Sequence, residues 1–327
     1  MKRGPRIFRK IILNRRPLLV LLGIFVIADL IAAAMLPGNI STYYFSPDDH
    51  FLAEDPELFW MPQKRFRDRF RTAEKAPGRL AYTFGGSIVT SIHTDTDFSA
   101  EAAACADSGV TWVNFGFNGY TTHQSLRMMS RAFARRTPDL AVVCNGFNDF
   151  GSSVASDTEM EQRNRLLSTR MLYWVSRIHL VRAQRLLIRK IRGFDPYKEM
   201  EKKAIIRVPV QEYHDNLKQM IDLASGNGVP LIFVTQSYPS KEVNEAARIY
   251  FAQMQELAAS HPNVYLLDVR PEMEQAITLH NQQYTDGYRP DERPYLFADY
   301  CHLSRQGHEL VGQLLCDKVQ KIKVFSD

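Results

Sequence analysis

The sequence predicts an α/β protein: a parallel sheet of about five strands, covered by helices on both faces and preceded by one membrane-spanning helix. Three observations carry that expectation. From Leu80 onward short apolar runs alternate with longer stretches of helix-like apolar spacing. The alternation has the scale of strand–helix–strand crossovers, which bury a parallel sheet on both sides. Ahead of it lies Pro17 to Leu36, a 20-residue apolar stretch whose one charge is Asp29, long enough at about 1.5 Å per residue to cross about 30 Å of hydrocarbon. The composition agrees: 327 residues, 45% hydrophobic and 24% charged, exclude collagen-like, low-complexity and largely disordered chains.

The N-terminus explains the charge. The chain carries a net charge of +5, but residues 1–16 hold seven basic side chains (Lys2, Arg3, Arg6, Arg9, Lys10, Arg15 and Arg16) and no acid. Taking those seven from the 41 Lys and Arg leaves 34 against 36 Asp and Glu, a net of −2. A basic flank on one side of an apolar span orients it with the N-terminus in the cytoplasm. The rest of the chain is then expected on the periplasmic or extracellular side. Ala32-Ala33-Ala34 resembles a small-residue cleavage site, so a removed signal peptide is the rival to an uncleaved anchor. A buried soluble helix fits worst, because the segment is apolar all round beside a purely basic run.

Residues 37–78 read as a juxtamembrane linker, with turn-forming Pro-Gly and Asp-Pro pairs and a mixed-charge run from Lys64 to Lys75. The expected strands are Leu80–Phe84, Val110–Phe115, Leu140–Cys144, Pro230–Thr235 and Val264–Val269, with helices over Thr122–Arg136, Glu212–Ser225 and Asn244–Ser260. A helical insert at about 151–207 breaks the alternation. Within it, Arg163–Arg192 holds nine basic residues and no acid. Arg182, Arg185, Arg189 and Arg192 share one face and are candidates for contact with anionic lipid; the competing reading is a packed hairpin with a solvated basic face. The four cysteines, Cys105, Cys144, Cys301 and Cys316, lack metal-ligand spacing and read as buried thiols.

Four segments carry candidate chemistry. The first strand runs into Gly85-Gly86-Ser87, where small neighbours let a serine hydroxyl project from a sharp turn. The second leads to Gly119 and the third to Gly146-Phe147-Asn148-Asp149. Near the C-terminus stands Asp299-Tyr300-Cys301-His302, and His302 alone among nine histidines has an aspartate three residues before it. That offset lets a carboxylate fold back onto the imidazole and fix its tautomer. Asp149 reads as structural, capping a helix or holding the turn.

In order and placement these blocks resemble the SGNH hydrolases, the GDSL esterase/lipase superfamily, over residues 80–321. The resemblance implies a flavodoxin-like three-layer sandwich in residues 79–327. It implies Ser87 as nucleophile, His302 as general base and then acid, and Asp299 as the group that orients it. It further implies an oxyanion hole from the amides of Ser87 and Gly119 and the side chain of Asn148. Gly86 departs from the pattern, since the family's commonest first block has aspartate there. The implied activity is hydrolysis of carboxylic esters of lipid or acetylated-glycan type. An acyltransferase on an envelope polysaccharide using the same residues is the alternative, and an inactive binding module of the same fold is the second. No metal, cofactor or nucleic-acid partner is expected, because neither ligand spacing nor a phosphate-binding loop is present.

Overall fold

The computed structural model describes residues 52–55, 57–90, 94–105, 109–166, 204–282 and 295–325, together with residues 20, 23–29 and 31 of the N-terminal apolar segment. The chain divides into two units, Met1–Tyr43 with Asn164–Pro196, and Tyr44–Arg163 with Tyr197–Asp327. In the first, the described residues of the apolar segment are helical, and Val20, Ile24, Phe25, Val26, Ile27 and Ile31 are exposed. Among the described residues no helix is long and apolar enough to cross a membrane. Most of the expected span 17–36 lies outside the described residues, as do the tail 1–16 and Arg182, Arg185, Arg189 and Arg192.

The second unit begins where a linker was expected. β1 (Leu52–Asp55) and β2 (Phe59–Pro62) form an antiparallel hairpin, followed by α1 (Gln63–Lys75). The linker reading is thus corrected over residues 52–75, while 37–51 lie outside the described residues. The reason is visible in α1. Only Phe66, Phe70 and Ala73 reach the core, at spacings of four and three, amid a run of charges that masks the period.

The sheet then builds from β3 (Arg79–Gly85), α2 (Phe98–Cys105), β4 (Val110–Asn114), α3 (Thr122–Phe133) and β5 (Leu140–Cys144). α4 (Phe147–Phe150), β6 (Ser152–Ser153), α5 (Asp157–Arg165) and β7 (Ile205–Ile206) frame the insert. β6 and β7 pair antiparallel, which brings Ser152–Ser153 and Ile205–Ile206 together at the two ends of this segment. α6 (Val210–Gly226), β8 (Leu231–Val234), α7 (Lys241–Ser260), β9 (Val264–Leu267), α8 (Arg270–Gln282) and α9 (Arg305–Ile322) complete it.

The five main strands are all parallel, in the order β4-β3-β5-β8-β9. This order reverses direction after β4. Right-handed crossovers therefore put α2 on one face and α3, α6 and α7 on the other, and α9 returns to pack on α2. The central strands β5 and β8 are buried along their whole length, which is why they read as unbroken apolar runs. The reversal also opens a crevice at the carboxyl ends of β3 and β5, and the candidate residues stand on the loops around it.

The cysteines are of two kinds. Cys144 and Cys301 are buried free thiols, as expected. Cys316 on α9 is disulfide-bonded, which corrects the reading of all four as thiols. The sequence spacing of the cysteines carries no sign of such a bond.

Candidate active site

Ser87 opens a tight 3-10 turn, Ser87–Thr90, directly after β3. Gly86 is required there by space. A Cβ on it would lie 2.5 Å from Asn148 Nδ2 and 2.9 Å from the Tyr120 carbonyl oxygen. In this chain a side chain at position 86 would require the Asn148 amide and the Tyr120 carbonyl to shift.

The second partner comes from the loop before α9. Phe297 and Leu303 bridge across this loop, Ala298 N donates to the His302 carbonyl at 2.8 Å, and Ser304 N donates to the Leu296 carbonyl at 2.9 Å. Within that closed turn, Asp299 Oδ1 accepts from the backbone N–H groups of Cys301 (2.9 Å) and His302 (2.8 Å). Its Oδ2 stands 2.6 Å from His302 Nδ1, and His302 Nε2 stands 2.8 Å from Ser87 Oγ. Partial burial works to raise the Asp299 pKa, but the two backbone donors and the imidazole outweigh it and hold the carboxyl well below the usual range. Asp299 is therefore an anion that accepts from Nδ1–H, leaving Nε2 with a lone pair for the serine proton. Cys301 Sγ lies 3.5 Å from His302 Nδ1. Asp299, Cys301 and His302 also form a group whose donor atoms, within 4.8 Å of one another, could hold a metal ion. An ion there would take the place of the hydrogen bond between Asp299 Oδ2 and His302 Nδ1.

Asn148 sits in α4, just beyond β5, and its Nδ2 donates to the Tyr120 carbonyl at 3.0 Å. An amide nitrogen carries two hydrogens, so one remains for the crevice. Gly119 takes a left-handed φ of +77°, which suits glycine. Among the described residues, no hydrogen bond takes up the N–H of Ser87 or of Gly119. Gly86, Ser87, Tyr120, Asn145, Asn148 and Gln236 are among the residues lining a cleft here.

Asp149 does not face the serine. It is fully buried, and its Oδ1 accepts from Thr122 N (2.8 Å) and Thr122 Oγ1 (2.6 Å), holding the first turn of α3. Burial pushes its pKa up to about 7, against the opposing effect of those two bonds. Two more residues, absent from the sequence reading, join the nucleophile turn to the glycine loop. Thr90 Oγ1 lies 3.0 Å from the Ser87 carbonyl and 2.5 Å from Asn118 Oδ1.

A five-stranded parallel sheet with serine, histidine and aspartate hydrogen-bonded in series at the carboxyl ends of its strands defines the class of serine hydrolases. The narrower assignment is to a family: the GDSL-like Lipase/Acylhydrolase model matches residues 83–310, and the chain belongs to that family, whose members act on ester bonds. Similar solved structures include a G-D-S-L lipolytic protein from Veillonella parvula (13% identity, 75% of this chain and 100% of that one, TM-score 0.45). Others are LAE5, an α/β hydrolase from the metagenome of Lake Arreo in Spain (16%, 78% and 100%, 0.47), and a variant of Axe2, an acetyl xylan esterase from Geobacillus stearothermophilus (15%, 75% and 96%, 0.45). No curated protein sequence matches the chain.

Proposed function

We propose that the chain is a membrane-tethered esterase that removes short acyl groups, acetyl foremost, from glycans outside the cytoplasm. The observation that carries the reading is the unbroken series Asp299 Oδ2–His302 Nδ1 at 2.6 Å and His302 Nε2–Ser87 Oγ at 2.8 Å. In it, His302 Nε2 takes the serine proton as Oγ bonds to the ester carbon, and the carbonyl oxygen becomes an oxyanion facing the N–H groups of Ser87, Gly119 and Asn148. Collapse breaks the bond to the leaving oxygen, which receives the proton from Nε2. Water then repeats the sequence on the acyl-serine and frees the acid.

The residues around the cleft suit an acyl group carried on a sugar. Asn145, Asn148 and Gln236 stand in its wall beside Ile88 and Phe147. Tyr300 is exposed beside it, with its ring 5.8 Å from that of Phe147 and 6.3 Å from that of His302. An aromatic face at the rim of the cleft offers a sugar ring a surface to lie on. The basic residues 1–16, the apolar stretch 17–36 with its exposed described residues, and the disulfide at Cys316 support a tether with the second unit on the oxidising side.

The test is turnover by the detergent-solubilised full chain on chromogenic esters of graded length and on acetylated oligosaccharides. Acetyl esters should turn over fastest, with a fall of about tenfold or more by octanoyl. Equal or greater rates on long chains would overturn the short-acyl reading. Turnover that requires a sugar acceptor, with negligible hydrolysis, would move the assignment to an acyltransferase.

A further inference from the structure

We infer that Trp60, on the hairpin ahead of the hydrolase fold, is a positioning residue for the oxyanion hole; the inference rests on the proposed role of the Gly119 N–H. That N–H belongs to the peptide group joining Asn118 to Gly119. The carbonyl of the same group, Asn118 O, accepts from Trp60 Nε1 at 3.1 Å. A peptide group is planar, so fixing its oxygen fixes the direction in which its N–H points. A donor on the carbonyl also polarises the amide and makes the N–H at its other end a stronger donor.

The indole acts by shape as well. A Cβ at Gly119 would stand 3.1 Å from Trp60 Cζ2, so the ring closes the open side of the glycine. The next carbonyl along, Gly119 O, accepts from Arg207 Nη1 at 2.7 Å. The Arg207 guanidinium lies 5.8 Å from the centre of the Trp60 ring. Both peptide planes flanking the Gly119 Cα are therefore held from outside the loop. Trp60 is itself pinned: its carbonyl accepts from Tyr120 Oη at 2.9 Å. Arg131 anchors the hairpin through Asp55 (2.8 and 2.9 Å) and Glu57 (2.6 Å).

The experiment replaces the indole N–H and keeps the ring. Trp60→Phe is one variant. The second places β-(3-benzothienyl)alanine at position 60 by codon suppression, which keeps the bicyclic shape and lacks the donor. Both are assayed as full chains in detergent with a chromogenic acetyl ester, beside the wild type and Ser87→Ala. The expected result is a fall in kcat of about tenfold in the benzothienyl variant, part of what a whole oxyanion donor contributes. KM should stay within twofold, and labelling by a fluorophosphonate should slow in step. A kcat within twofold of wild type in that variant, with Ser87→Ala inert, would overturn the inference and leave the serine assignment standing. Loss that appears in KM alone would overturn it too. Wild-type activity in Ser87→Ala would instead remove the oxyanion reading on which the inference depends.

Discussion

The two loops that meet at Ser87 are held in opposite ways. The Asp299–His302 loop is self-contained: its carboxylate binds backbone N–H groups two and three residues on, and its ends are bridged by Phe297 and Leu303. The Asn118–Tyr120 loop is held from far along the chain. Trp60 lies 58 residues before its partner Asn118, and Arg207 lies 88 residues after its partner Gly119. Arg207 is in turn gripped by Asp157, a fully buried carboxylate that also accepts from Thr121 Oγ1 at 2.7 Å. A local loop can be altered chemically with its fold intact, whereas a loop built on distant partners ties catalysis to the stability of the whole unit.

The largest expected effect separates these two cases on the local side. Asp299→Asn keeps an oxygen for the backbone donors of Cys301 and His302 but withdraws the charge and favours the wrong imidazole tautomer. Activity should fall on the order of 10³–10⁴, with the thermal unfolding midpoint nearly unchanged. A matching loss of stability would show that the loop is not self-contained. On the distant side, Arg207→Ala leaves Asp157 buried without its cation. The expected loss is about 3–5 kcal/mol in denaturant unfolding, with activity falling alongside it. A stable variant with wild-type kcat would contradict the claim that this side of the site is held from afar.

A second effect on stability concerns Asp149, which ties α3 to the turn that carries Asn148. Its folded pKa is raised to about 7 from the ordinary 3.8. The folded state therefore keeps a proton that the unfolded chain has released, and stability falls as pH rises from about 4 to about 7. Asp149→Asn should flatten that stretch of the stability–pH curve, read by denaturant unfolding at a series of pH values. An unaltered slope would mean that the buried carboxyl does not titrate across this range.

The same contrast accounts for what the sequence could reveal. The five strands stand where the apolar runs lie, within one or two residues at their ends, because central parallel strands are apolar on both faces. Ser87, Asn148, Asp299 and His302 were nameable from short blocks, since each sits beside a strand end or inside a three-residue turn. Trp60, Asp157 and Arg207 gave no such signal because their partners are remote in sequence, and neither did the contact of Thr90 with Asn118. α1 was hidden in apparent linker because few apolar residues mark it among charges, and the hairpin because each of its strands is only four residues long. The disulfide at Cys316 likewise depends on an approach in space that spacing does not encode.

The central claim is that Ser87 is the nucleophile. The most direct measurement is fluorophosphonate labelling of the full chain in detergent, with the modified residue located by mass spectrometry. The account requires a single adduct on Ser87, absent from Ser87→Ala and slowed in His302→Ala. Equal labelling of the wild type and Ser87→Ala, or an adduct on another residue, would contradict it.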